Sequence, residues 1–434
     1  MWFGRVQTFF RGIDELPLAA YVTAGAEGPN VRRYWAPPDL EQSADRTDEE
    51  YIADYQGHLE RVIGAALDRS SKRMFLVSGG LDSPVIAAAA AKKLGERIDC
   101  CAAVFPGYES LDESRYIETL TDEVAREVIL EPFSVEQFIA AFDAMLERHD
   151  QPILSPTYVL FFHLLGVARD RGYDTVFGGG GGDIVSQGCL EYQPYVLADY
   201  RGESEDAYAR EIDAYCARVG PVLRSWPGEP DRMRALIDEL VDWDEPGLIF
   251  NNPDWIRPDT SAFGPSLRSA DPTVPPVGER YSTYRQSRLG EEIFHQAIAT
   301  HFTEDLNGAT FTLSGADPFW DLDFIEFGFT LPLRLVTHDG WTKSIVRKSV
   351  QGVLPEPLRT RAEKAGLATP FADWFRDGPL ADAFGAALAS PAIAGLIDVE
   401  HVRAVWERHR AGEQHGDLVW RVFAVSRWAD RWLS

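Results

Sequence analysis

Two glycines and two serines surround a single carboxylate in Ser78-Gly79-Gly80-Leu81-Asp82-Ser83. The segment follows the apolar run Met74-Phe75-Leu76-Val77 and precedes an alanine-rich stretch that reaches Leu94. Residues of those types in that order describe an anion-binding turn between a strand and a helix. The glycines let backbone amides approach a charged group, and the serine hydroxyls add donors. The helix N-terminus offers unpaired N–H groups and the positive end of its dipole. A carboxylate fits a phosphate-binding turn only when a cation stands between the two charges, so Asp82 points to Mg2+.

The elements that must hold this turn can be read from the pattern of apolar residues. Tyr55, Leu59, Ile63 and Leu67 recur every fourth residue and predict a helix over 51–67. Residues 74–77 read as a buried strand, and Pro84 is expected to open the following helix, where a missing N–H costs nothing. A second strand is expected over 98–105 and a third over 128–130. Helices are expected over 134–147 and 157–171, and a fourth strand over 175–177. Asp112 reads as the cap of a helix carrying Ile117, Leu120 and Val124 on one face. The alternation predicts an α/β fold, a parallel sheet with helices on both faces. After residue 190 the strand signal fades, so a mainly helical C-terminal part is expected. The stretch 243–290, rich in Pro, Asp, Ser and Arg, reads as a long irregular segment.

Composition narrows the function classes. The chain has 434 residues, 68 acidic against 42 basic, for a net charge of −26. Such a surface repels nucleic acid and anionic membranes, where phosphate contacts dominate binding, and it suits concentrated salt. A halophilic source is expected from this, and a high-GC bacterium would give the same arginine bias. Only six of the basic residues are lysines, which singles out each of them, Lys343 and Lys364 included. The four cysteines show neither CxxC nor Cys/His spacing, so no zinc site and no disulfide framework is expected. With no secretory signal and no long apolar run, a cytoplasmic protein is expected.

Ser78 to Ser83 resembles the SGGxDS pyrophosphate-binding loop of the ATP pyrophosphatase superfamily, which has no lysine of the Walker type. Other segments narrow the resemblance to the synthetase domain of asparagine synthetases and their relatives. Asp112-Glu113-Ser114-Arg115-Tyr116 resembles DExxY, Asp150-Gln151-Pro152 a D-x-P segment, and Gly178 to Asp183 a GEGADE-type loop. Pro318-Phe319-Trp320-Asp321 resembles PFLD. Lys343 to Lys348, with Leu354-Pro355 and Arg361, resembles K-x-x-x-R…LP…R. The resemblance covers roughly residues 55–430. It implies an ATP-binding core over 51–190 and a mainly helical part over 191–434 that completes the site. ATP would be cut between its α and β phosphates, a carboxylate activated as an acyl-adenylate, and an amine would take the acyl group. Val77, Ser78, Gly79, Gly80, Asp82, Ser83, Val104 and Gly179 would hold the nucleotide, and Asp82 and Asp183 the Mg2+. Lys343 would neutralise transition-state charge. Arg347, one helical turn on, would hold pyrophosphate.

Three departures bear on the nitrogen source. Residues 1–50 resemble only the closing strands of a glutaminase domain, position 2 is Trp2, and no cysteine precedes Cys100. Ammonia is therefore expected from elsewhere, from a separate glutaminase subunit for example, or not to be used. Gly180 replaces the first glutamate of the GEGADE pattern and Ile184 the last; β-lactam synthetases and lasso-peptide cyclases, which use an amine of the substrate, carry similar loops. Ser314 and Ala316 stand where asparagine synthetases have E-x-R before PFLD. Three functions fit these features: an asparagine synthase-like ligase, an amide ligase or cyclase using a substrate amine, and a non-catalytic ATP-binding scaffold. The partners expected are a small-molecule or peptide carboxylate and an amine.

Overall fold

A computed structural model describes residues 8, 10–14, 16–26, 28–38, 46–121, 123–189, 193–219, 229–241, 283, 285, 290, 293, 303–362 and 369–433. Lys364 and all but three positions of 243–290 lie outside the described residues.

Near the start, β1 (Ala20–Gly25) and β2 (Gly28–Arg33) pair antiparallel as a largely exposed ribbon. The central sheet has five parallel strands: β3 (Arg73–Leu76), β4 (Ile98–Val104), β5 (Ala125–Pro132), β6 (Thr175–Phe177) and β7 (Ser314–Ala316), in the order β5-β4-β3-β6-β7. Side chains of a strand alternate between faces, and a parallel sheet is covered on both. Met74 and Leu76 enter one core with Cys101, Ile129 and Val176, under helices Val135–Leu146, Pro156–Asp170 and Gly416–Trp432. Phe75 and Val77 enter the other with Cys100 and Phe177, under α1 (Asp48–Leu67) and α2 (Asp82–Leu94). The expected α/β architecture with a mainly helical C-terminal part is the one found. Cys100 and Cys101 are buried free thiols, and burial pushes both up to about 12, which keeps them protonated.

Three local expectations are corrected. The helix after the glycine turn begins at Asp82, not Pro84, so the proline stands third in α2. It is tolerated because the first four N–H groups of a helix lack intrahelical acceptors. The helix expected to run from Asp112 to Val124 is a single turn, Ser114–Ile117, followed by a 3₁₀ turn to Thr121. Asp112 still accepts the Ser114 amide at 2.8 Å, but the Val124 carbonyl accepts the Ile98 amide at 3.1 Å, which draws the chain into β5. The fifth strand, β7, comes from beyond residue 190, where no strand was expected. Among the described residues no helix is long and apolar enough to cross a membrane.

Candidate active site

The turn between β3 and α2 lies at the carboxyl edge of the sheet, where open α/β folds bind ligands. It closes on itself through its hydroxyls. Ser83 Oγ accepts the Ser78 amide at 3.1 Å, and Ser78 Oγ accepts the Gly80 amide at 3.2 Å. Val77 is buried, with its amide on the Cys101 carbonyl at 2.9 Å, and Val104 ends the neighbouring β4 half-buried. The glycine run after β6 packs bare backbone onto this turn. A Cβ at Gly179 would stand 2.5 Å from the Ser83 amide nitrogen, and one at Gly182 2.6 Å from Asp82 Cγ.

Lys343 joins the two strand ends. Its ammonium lies 2.5 Å from Asp82 Oδ2 and 2.7 Å from Asp183 Oδ1, with 4% of the side chain exposed. The backbone of Lys343 is left-handed, φ 55 and ψ 39, just before the helix Ser344–Ser349. That conformation costs a non-glycine residue on the order of 1 kcal/mol, and the surrounding packing must hold it. Gly188 is part of that packing: a Cβ there would meet Lys343 Cγ at 2.1 Å. Arg347 is part of it too, for its Nε donates to the Thr342 carbonyl at 2.8 Å and its Nη1 to the Arg359 carbonyl at 2.6 Å. Burial and then Arg359 push Arg347 down to about 10, so it stays charged at neutral pH. In this structure Arg347 braces the backbone around Lys343.

Whether the aspartates suit a cation can be judged from their oxygens. Asp82 Oδ1 is buried with no hydrogen-bond partner, and both carboxylates converge on one ammonium. An unsatisfied buried oxygen among converging carboxylates fits a hard, oxygen-binding ion such as Mg2+.

A family model described as asparagine synthase matches residues 55–430. The chain belongs to the asparagine synthase family. It is similar to proteins described as "Putative asparagine synthetase (glutamine-hydrolyzing)" from Mycobacterium bovis and Mycobacterium tuberculosis, each 21% identical over 440 residues. The alignment covers 97% of this chain but 64% of each relative, so the chain spans about two thirds of their length.

At Gly180, which the sequence resemblance sets against a glutamate, the structure shows what fills the space. Asp317, directly after β7, accepts the Gly180 amide at 3.1 Å through Oδ1, and that oxygen would lie 3.0 Å from a Cβ at Gly180. No longer side chain fits there without moving Asp317. Asp317 also hydrogen-bonds Glu304, whose carboxyl is pushed up to about 10 by burial, then by the Asp317 charge and hydrogen bond and by Asp305. Below about pH 4.3 the group is protonated folded or unfolded. Above that the unfolded chain releases its proton while the folded one keeps it, so stability falls with rising pH until the folded carboxyl ionises. The melting temperature is thus expected to fall from pH 5 to 9 more steeply in the wild type than in Glu304→Gln, by up to about a tenfold change in the folding constant per pH unit. Equal slopes would show that Glu304 is ionised in the folded protein.

The sequence pattern singles out Asp82, Asp183 and Lys343, and the structure brings these together. It does not single out Gly188, Asp317 or the role of Glu113 and Arg361, because no local signal marks a glycine under a distant lysine or a pair made across the fold.

Proposed function

We propose that the chain is an ATP- and Mg2+-dependent carbon-nitrogen ligase that activates a carboxylate as its adenylate and passes the acyl group to an amine. The observation that carries this reading is the Lys343 ammonium between Asp82 and Asp183 at the mouth of the Ser78–Ser83 turn. A carboxylate oxygen attacks the α-phosphorus of ATP, the bond to the β-phosphate bridging oxygen breaks, and pyrophosphate leaves into the turn. The amine nitrogen then attacks the acyl carbon, AMP leaves, and the nitrogen gives up a proton. Splitting the reaction in two gives the weak electrophile a good leaving group. Lys343 places positive charge where negative charge builds. Asp82 and Asp183 would hold Mg2+, which supplies neutralisation of the departing phosphates.

For the amine, the asparagine synthase-like reading uses ammonia supplied from elsewhere. A substrate amine is the second reading, and the observation that favours it is Asp317 lying where a longer side chain at position 180 would need room. ATP–pyrophosphate exchange with Mg2+, run with aspartate, with no acid, and with a panel of amino acids and peptide carboxylates, tests the proposal. Exchange that depends on an acid is expected, and the acid that drives it chooses between the two readings. A folded protein that binds ATP yet exchanges with no acid would overturn both readings in favour of a scaffold.

A further inference from the structure

The loop that would receive pyrophosphate already holds an anion. Glu113 Oε2 accepts the Gly79 amide at 2.9 Å, and Glu113 Oε1 lies 2.7 Å from Arg361 Nη1. The same Nη1 donates to the Gly79 carbonyl at 2.5 Å. The two side chains are 11% and 7% exposed, and the Arg361 guanidinium lies 4.1 Å from the centre of the Tyr116 ring. They press directly on the turn, since a Cβ at Gly79 would stand 2.1 Å from Arg361 Nη1 and 2.9 Å from Glu113 Cβ. Arg361 is not fully used. Its Nε is buried with no hydrogen-bond partner, and a buried guanidinium donor without an acceptor carries a desolvation cost that an arriving oxygen would remove.

We propose that the Glu113 carboxylate is an internal occupant of the pyrophosphate seat, and that Arg361 is a pyrophosphate-binding residue which exchanges Glu113 for a phosphate oxygen. The inference rests on the reading that this turn binds the phosphates of ATP. A carboxylate and a phosphate each offer acceptor oxygens in the spacing a guanidinium and a backbone amide can share. Both cannot sit on the Gly79 amide at once, so an incoming phosphate must displace Glu113. Arg361 stays in place on the Tyr116 ring and the Gly79 carbonyl, with Nη1 able to turn from carboxylate to phosphate and the unpartnered Nε able to take a phosphate oxygen. Glu113 is thereby a built-in competitor that weakens the hold on pyrophosphate and so hastens its release.

Calorimetry with inorganic pyrophosphate and Mg2+, without nucleotide, tests this on the full chain. Glu113→Gln removes the charge that pairs with Arg361 while keeping the side chain's size, and is expected to tighten pyrophosphate binding about tenfold. Arg361→Ala is expected to weaken it by at least about tenfold. If Glu113→Gln fails to fold, as its melting curve would show, Glu113→Asp carries the test. It keeps the charge but falls short of the Gly79 amide, and it too is expected to bind pyrophosphate more tightly. Unchanged or weaker binding in the folded Glu113 variant would overturn the proposal and make Glu113 a strut of the loop. Wild-type protein that binds pyrophosphate but exchanges with no acid would overturn the ligase reading and leave this inference standing. Wild-type protein that binds neither pyrophosphate nor ATP would overturn both.

Discussion

Replacing Lys343 by methionine is expected to lower acid-dependent pyrophosphate exchange by about a thousandfold or more, the scale on which removal of a preorganised charge is felt. Methionine has a stem of similar length and no charge, so the substitution separates the ammonium from the volume it fills. It also leaves Asp82 and Asp183 facing one another at 16% and 25% exposure with no cation between them. Stripping one partner from a buried charge group costs about 3–5 kcal/mol, so the ligand-free variant should melt at a lower temperature. Adding Mg2+ should restore stability to the variant more than to the wild type, because the ion would enter a site that the ammonium no longer fills. Exchange within tenfold of the wild type would remove Lys343 from the chemistry.

The second large effect is expected from a residue without a functional group. Gly188→Ala places a methyl carbon 2.1 Å from Lys343 Cγ, 2.6 Å from Cε and 2.8 Å from Cδ. These are mid-chain atoms of a buried side chain whose far end is tied to two aspartates, so the lysine cannot yield without leaving them. Displacement of a catalytic group by about 1 Å costs on the order of a hundredfold in rate. The expected result is a kcat for exchange lowered at least about a hundredfold. Full activity in Gly188→Ala would mean that Lys343 works from a position other than the one described.

What could be read from the sequence is what rests on neighbours along the chain. Met74 to Val77, the glycine turn and the alanine-rich helix follow one another, so strand, turn and helix were legible together, and Asp82 with them. The sheet strands β3 to β6 announce themselves by apolar runs. β7 does not: Ser314-Gly315-Ala316 has no apolar run, and it is a strand because its backbone pairs with Thr175 to Phe177. Tertiary hydrogen bonding there overrides local preference. The same holds for the left-handed turn at Lys343, which the carbonyl brace of Arg347 and the space left by Gly188 hold in place. Arg361 and Glu113 each stood in a recognisable segment, yet their bond across the Gly79 turn exists only in the folded chain.

The late origin of β7 has a consequence for synthesis on the ribosome. Strands β3 to β6 are complete when Phe177 emerges, but the partner of β6 begins only at Ser314, 137 positions later (314 − 177). At translation rates of about 5–20 residues per second, β6 waits roughly 7–27 s with one edge uncovered. An open strand edge is a template for pairing with a neighbouring chain. β6 answers this by brevity, for its three residues offer few backbone groups to a stranger. Lys343 emerges later still, so the nascent chain carries the Ser78–Ser83 turn well before the ammonium that closes over it.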